Sequence, residues 1–204
     1  MIDAISALKQ LQQGNQRFVS GKRKDNSLLE HNDLTSGQKP FAIILGCSDS
    51  RVPAEIVFDQ GLGDLFVIRV AGNIVAPSQI GSVEFAAAQF KTRLVVVLGH
   101  SLCGAICATI DEMKSPSDKK SLNINAIVDR IQPSIEPFRA TDVWNNREVL
   151  IEESVRANVR ASANQLRHGS AILEELISNE GLLIVGAEYS LQTGEVVFFD
   201  GLPE

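Results

Sequence analysis

The chain has 204 residues, of which 44% are hydrophobic and 22% charged, and its net charge at pH 7 is −6. This length suits one domain, residues 1–204, that buries a substantial core without disulfides. The acidic balance, with no basic run flanked by aromatic residues, argues against nucleic acid as a partner. No signal-peptide pattern and no run of eighteen apolar residues occurs, which predicts a cytoplasmic protein that is not inserted in a membrane.

The first 38 residues are predicted to form a helical arm and a loop. Apolar residues at positions 5, 8, 11 and 18 recur at helical spacing within residues 3–20, and Gly21 marks the expected end of that helix. Residues 21–40 are polar and rich in turn-forming types, so they are expected to be a connecting loop.

Three apolar runs then predict strands at residues 41–46, 65–70 and 93–99. A helix is predicted over residues 77–90, with Pro77 in its first turn. Continuous apolar strands that alternate with helical patterns are typical of a parallel sheet covered on both faces. The fold class is therefore predicted to be doubly wound α/β.

The second half of the chain is predicted to be mostly helical. Helices are expected at residues 104–113, 123–138 and 145–167, and residues 114–120 form a polar linker. Pro133 and Pro137 are expected to break or kink the second of these helices. Two strands, at residues 181–186 and 195–199, are predicted around a turn at residues 192–194.

Cys47 follows the first strand and opens the segment Cys47-Ser-Asp-Ser-Arg51, while His100 and Cys103 follow the third strand. In a doubly wound sheet with strand order 2-1-3, these strand ends are neighbours and form the usual ligand crevice. Two thiolates and an imidazole suit zinc. Asp49 and Arg51 add a carboxylate and its counter-ion, which indicates a catalytic site more than a purely structural one.

Other interpretations of these residues are weaker. A cysteine phosphatase would place its arginine six positions after the nucleophilic cysteine, whereas Arg51 is four positions after Cys47. A non-catalytic scaffold with Asp49 as a permanent fourth zinc ligand stays open as an alternative. A dinucleotide site is disfavoured, because the glycine pair at 61 and 63 lacks a third glycine and precedes a strand. Cys107 is expected to be buried packing, and the histidines at 31 and 168 to lie on the surface.

Two segments, Cys47-Ser-Asp-Ser-Arg-Val-Pro53 and Gly99-His-Ser-Leu-Cys-Gly104, resemble the two signature motifs of the β-class carbonic anhydrases. Residues 64–73, 81–85, 185–189 and 193–194 are also similar to that family in order and spacing. The resemblance implies a four-stranded parallel sheet with an antiparallel edge strand, in which residues 39–204 form the zinc-binding core. It further implies a homodimer, or a tetramer of dimers, whose N-terminal helix embraces the neighbouring subunit.

The same resemblance implies the reaction and the roles of the motif residues. The reaction is the reversible hydration of carbon dioxide to bicarbonate and a proton by zinc-bound hydroxide. Cys47, His100 and Cys103 are the implied ligands of one zinc ion per subunit, and Asp49 with Arg51 forms the dyad beside it. Hydrolysis of carbonyl sulfide or carbon disulfide at the same zinc site is the alternative, since some relatives act on those molecules.

Four residues are implied to bind substrate. Gln38 resembles a glutamine that reaches the substrate from the partner subunit, and Phe66 resembles part of an apolar wall. Phe85 stands where the family often has a tyrosine, and Gly104 follows the last zinc ligand.

One branch of the family has an inhibitory bicarbonate pocket made by a tryptophan, an arginine and a tyrosine. The tryptophan position is Ile44 here, although Arg69 and Tyr189 occupy the other two positions. The sequence therefore predicts an enzyme without the bicarbonate lock.

Overall fold

A computed structural model of the protein describes residues 2–23, 35, 37–116 and 121–203. Its centre is a five-stranded sheet with the order β2-β1-β3-β4-β5. The strands are β1 (Ala42–Gly46), β2 (Leu65–Arg69), β3 (Leu94–His100), β4 (Leu183–Tyr189) and β5 (Val196–Asp200). The first four are parallel and β5 pairs antiparallel with β4, which confirms the predicted fold class and strand order.

Seven helices accompany the sheet in the described part of the chain. They are α1 (Ala4–Val19), α2 (Ala54–Val57), α3 (Pro77–Gln89), α4 (Gly104–Lys114), α5 (Leu122–Ile135), α6 (Arg147–His168) and α7 (Ala171–Glu180). Short 3-10 helices occupy Ala71–Asn73, Glu136–Ala140 and Asp142–Asn145. The predicted strands and long helices are confirmed to within a few residues, but α2 and α7 are additions.

The central strands β1, β3 and β4 are buried on both faces, as their continuous apolar sequences require. On one face, side chains of β1, β3 and β4 pack against α1 and α2, with Leu11 and Phe58 fully buried between them. The other face packs against α3, α6 and α7. A third cluster joins α4, α5 and α6 beside the ends of β1 and β3.

Helix α1 packs on the sheet of its own chain. Leu8 and Leu11 belong to the core on that face, and Gly14 lies so close to α2 that a β-carbon there would be 1.8 Å from the Phe58 carbonyl oxygen. Ile5 and Val19 remain exposed on the outer side of the helix. The inner face of α1 thus packs against its own chain, and the outer face is the one that a neighbouring subunit could contact.

Pro133 does not break α5 where it stands. It lies in the last turn, where the loss of one backbone hydrogen bond is tolerated, and the α-helix ends at Ile135. The 3-10 helix Glu136–Ala140 follows, with Pro137 in its first turn. The predicted helix over residues 123–138 is therefore α-helical only to Ile135, and the expected break is the change of helix type next to Pro137.

The remaining predictions concern the loops, Cys107, the two surface histidines and membrane insertion. Most of the predicted loop at residues 21–40, with the histidine at 31, lies outside the described residues, as do residues 117–120 of the linker. His168 is exposed, as predicted, but Cys107 is only half-buried. None of the helices in the described ranges combines the length and the apolar character needed to cross a membrane.

Candidate metal centre

The two signature segments meet at the carboxyl ends of β1 and β3. These strands are parallel neighbours, so Cys47, which follows β1, comes beside His100, the last residue of β3. Cys103 caps the N-terminus of α4, three residues later. The donor atoms of the three side chains all lie within 4.8 Å of one another.

The turn between His100 and Cys103 is fixed by hydrogen bonds to the end of β4 and to the residues that follow it. The Ser101 N–H donates to the Tyr189 carbonyl, and the Ser101 hydroxyl accepts from the Leu191 N–H, both at 2.9 Å. Leu102 takes a left-handed conformation, with φ of 55°, which turns the chain into α4. Cys103 is thereby brought back towards the end of β3.

The orientation of His100 leaves one ring nitrogen available to a metal. Its Nδ1 N–H donates to the Ser101 carbonyl at 3.0 Å, which fixes the tautomer. Its Nε2 is buried and, within the described residues, has no hydrogen-bond partner. A buried polar atom without a partner is costly, so this nitrogen needs a ligand of another kind.

The donor set fits a zinc ion. The Cys47 and Cys103 sulfurs are 4.0 Å apart, against about 3.8 Å for two sulfurs bound 2.3 Å from one tetrahedral zinc. The exposed fractions of Cys47, Cys103 and His100 are 6%, 1% and 0%, so the set is shielded from water. Two sulfurs and one imidazole nitrogen are typical zinc donors.

A hydrogen bond between the two thiols moves their pKa values in opposite directions. A hydrogen bond with Cys103 lowers the pKa of Cys47 to about 4, against the opposing effect of burial. The same hydrogen bond, followed by burial, raises the pKa of Cys103. Burial alone would lower the pKa of His100, but the close Cys47 thiolate outweighs it and raises that pKa. Zinc binds cysteine as the thiolate, and the lowered pKa of Cys47 favours that form.

Asp49 and Arg51 form a paired dyad beside the donor set. The Arg51 Nε donates to Oδ1 of Asp49 at 2.9 Å and its Nη2 to Oδ2 at 2.7 Å, while the Arg51 backbone N–H donates to Oδ1 at 3.0 Å. These bonds hold the pKa of the Asp49 carboxyl well below its usual range. Oδ2 of Asp49 is 3.9 Å from Nε2 of His100, so an ionised carboxylate faces the candidate metal position.

Two residues brace this loop in ways that the sequence did not reveal. Arg69, at the end of β2, donates from Nε to the Cys47 carbonyl at 3.0 Å and from Nη2 to the Asp49 carbonyl at 2.5 Å. The Gly72 N–H donates to the Cys47 sulfur at 3.3 Å. The Gly-Asn pair after β2 was the available signal for Gly72, since it marks a tight turn near a strand end.

The predicted substrate-binding residues fall into two groups. Gly104 is the exposed first residue of α4, directly after Cys103. Gln38 precedes β1, and Phe66 is paired with Ile43 near the start of that strand. The two ends of β1 are about 13 Å apart. Gln38 and Phe66 therefore lie near the amino ends of the strands, and their own chain's donor set lies at the carboxyl ends.

Phe85 lies with Phe66 at this end of the sheet, away from the donor set. Their ring centroids are 6.2 Å apart, and Phe90 lies within 6 Å of both rings. Phe85 is 53% exposed. A cleft of about 680 Å³ beside it is lined by Gln38, Phe41 and Phe90. The chain thus presents an aromatic surface far from its own metal centre.

Two of the three residues at the positions of the bicarbonate pocket belong to the core, and the third binds backbone carbonyls. Ile44 is fully buried in the same core cluster as Tyr189. The Arg69 guanidinium is bound to the two carbonyls of the Cys47 loop. The absence of the bicarbonate pocket stays a prediction from the residue at position 44.

Known proteins are similar to this chain in both sequence and fold. A family model described as carbonic anhydrase matches residues 42–196. A protein of Mycobacterium tuberculosis named carbonic anhydrase 2 is 37% identical over 96% of this chain and 93% of its own length. A carbonic anhydrase of Mycolicibacterium smegmatis is 38% identical over 94% of this chain and 91% of its own length.

Among solved structures, a β-carbonic anhydrase of Aspergillus fumigatus superposes with a TM-score of 0.76 over 99% of this chain and 93% of that one, at 23% identity. A tetrameric β-carbonic anhydrase of Sordaria macrospora gives 0.74 over 95% and 97%, also at 23% identity. The fold, the family model and the close relatives agree with the motifs around Cys47 and His100, and the chain belongs to the β-class carbonic anhydrases, a family of enzymes that hydrate carbon dioxide.

Proposed function

We propose that this enzyme catalyses the reversible hydration of carbon dioxide with one zinc ion held by Cys47, His100 and Cys103. The observation that carries the proposal is the convergence of two buried sulfurs and the unpartnered Nε2 of His100 within 4.8 Å. When bound in such a site, zinc lowers the pKa of a water molecule, so that a hydroxide nucleophile is available near neutral pH.

Asp49 is proposed to orient the attacking oxygen. Its carboxylate is ionised and lies 3.9 Å from His100, where it can accept a hydrogen bond from the nucleophile. Arg51 engages both carboxylate oxygens and so keeps Asp49 from becoming a metal ligand. This pairing favours an open, catalytic site over the alternative of a closed structural one.

We propose that a second copy of the chain completes each site. Gln38, Phe66 and Phe85 lie at the end of the sheet opposite their own chain's donor set, so they can contact substrate only at a neighbouring subunit's metal centre. Half-exposed Phe85 and the adjacent cleft are an apolar surface suited to such an interface. The proposed assembly is a homodimer or a tetramer built from such dimers. Carbon dioxide is uncharged, so an apolar wall suits it.

The proposed compartment is the cytoplasm. Cys47, Cys103 and Cys107 are all free thiols. A metal site that depends on two reduced thiols suits a compartment in which thiols stay reduced.

Metal analysis combined with stopped-flow carbon dioxide hydration tests the proposal. The Cys103→Ala variant should lose zinc and activity together, because one of three ligands is gone. Cys107→Ala is the matched control, since it removes a free thiol one turn later on the same helix and should keep both. Full zinc occupancy in Cys103→Ala would contradict the ligand assignment.

The same preparation separates the substrates. Zinc-loaded enzyme should hydrate carbon dioxide and show little turnover of carbonyl sulfide or carbon disulfide. Turnover of the sulfur compounds without carbon dioxide hydration would establish the alternative activity.

A further inference from the structure

We infer that Asn158 of α6 is a positioning residue for the metal centre, acting through the turn Ala71–Asn73 on the sulfur of Cys47. The inference rests on the proposed function, since it concerns the same metal site. Asn158 touches none of the donor atoms, and no motif in the sequence marks it.

A continuous chain of contacts links α6 to the metal centre. Nδ2 of Asn158 donates to the Gly72 carbonyl at 2.7 Å, and the Gly72 N–H donates to the Cys47 sulfur at 3.3 Å. One turn further along α6, the Ser162 hydroxyl donates to the Asn73 carbonyl at 3.0 Å. Asn158 is 2% exposed, so water does not compete for its bond.

One residue of this turn, Asn73, has a backbone conformation that is uncommon for a residue other than glycine. Gly72 and Asn73 both have positive φ, 69° and 42°, and Asn73 is not a glycine. A β-carbon at Gly72 would lie 2.7 Å from Cδ1 of Ile131, which also limits the turn from the α5 side. Side chains of α6 therefore hold the two successive carbonyl groups of a turn that contains one uncommon backbone conformation.

The position of the Gly72 N–H matters for the chemistry of the sulfur. A hydrogen bond to a thiolate withdraws electron density from it and makes it a weaker donor to a metal. A weaker donor leaves the metal a stronger Lewis acid, which favours an activated water. Asn158 thus acts on the reaction by fixing where the Gly72 N–H points.

The test uses the Asn158→Leu variant, which is similar in size to the native residue but has no donor. Cobalt replaces zinc in the full-length enzyme, and the sulfur-to-cobalt charge-transfer band is recorded. Loss of the N–H···S bond should move this band to longer wavelength, since the sulfur lone pairs rise in energy.

Ser154→Ala is the matched control. Ser154 lies one turn before Asn158 on the same buried face, and in the described structure its hydroxyl oxygen has no hydrogen-bond partner. This variant should leave the band unmoved. An equal shift in Ser154→Ala would overturn the inference, because general loosening of α6 would then explain both results.

A second variant keeps the test decisive if Asn158→Leu does not fold. Ser162→Ala frees the Asn73 carbonyl and should shift the band in the same direction. A wild-type band in cobalt-loaded Asn158→Leu, or in Ser162→Ala when Asn158→Leu does not fold, overturns the inference while leaving the proposed function intact. Failure of the wild-type protein to bind cobalt or zinc overturns both.

Discussion

Gly99 is the residue immediately before His100, and helix α6 lies directly over it. A β-carbon built at Gly99 would be 2.6 Å from Cγ2 of Val159 and 3.2 Å from Cγ1 of Val155. The other methyl group of Val159 would meet a β-carbon at Gly186 at 2.8 Å. Val159 is fully buried and has no room to turn away. The close approach of α6 to β3 and β4 therefore depends on the missing side chains of two glycines.

The Gly99→Ala substitution should lower the free energy of unfolding by about 1–3 kcal/mol, the usual cost of overpacking a close-packed core. Val159→Ala removes two buried carbon atoms, and it should cost about 2–3 kcal/mol from the lost transfer free energy and the cavity. In the double variant the new methyl group occupies part of that cavity. We expect the double variant to lose about 1–2 kcal/mol less stability than the sum of the two single losses.

Urea unfolding of all four proteins, at one protein concentration and one zinc concentration, measures this coupling. Zinc content should be reduced in Gly99→Ala and restored in the double variant, since the displaced residue precedes a ligand. Costs that add within about 0.5 kcal/mol would refute the reasoning, because they would show that α6 and Gly99 do not compete for the same space.

Three further predictions concern the metal centre. Arg51→Ala should reduce the carbon dioxide hydration rate by about 100-fold or more, because Asp49 is then free to bind the metal. As the control, Arg147→Ala breaks a similarly exposed two-pronged pair with Asp111 and should have no effect on the rate. Full activity in Arg51→Ala would rule out the dyad. Since Arg51 holds the pKa of Asp49 below its ordinary value of about 3.9, Asp49 stays ionised above about pH 4. Asp49 should therefore add no step between pH 6 and 9, and stopped-flow rates should rise over that range only as the zinc-bound water ionises; a fall over that range would contradict this. Because Ile44 replaces the indole donor, bicarbonate should inhibit without cooperativity, and a sigmoidal inhibition curve would overturn the assignment.

The sequence predicted the sheet well because its strands carry strong signals. Residues 41–46 and 93–99 are continuous apolar runs, and each ends at a chemical motif, so strand order and the meeting of Cys47 with His100 followed from topology alone. Helix α7 was missed because it is only ten residues long and follows α6 after a two-residue gap. Its Ser170 N-cap and left-handed Gly181 were the available signals.

The surroundings of the site were harder to predict, because they depend on long-range packing. Asn158 and Ser162 are ordinary helix residues in sequence, and only the docking of α6 brings them to the turn after β2. In sequence, Arg69 only matches the arginine position of the family's bicarbonate pocket, and the structure shows that its guanidinium braces the Cys47 loop. The single-domain boundaries and the substrate roles of Gln38 and Gly104 stay predictions.

The separation of Phe66 and Phe85 from their own chain's donor set has a genetic consequence under the proposed dimer. Each subunit would contribute the metal half of one reaction centre and the aromatic half of another. A chain damaged only at Cys47 and a chain damaged only at Gln38 would each be inactive alone, yet a mixed pair would contain one intact centre. Co-expression of the two should therefore restore turnover that neither shows by itself, and dilution below the dimer dissociation constant should abolish it in the native protein.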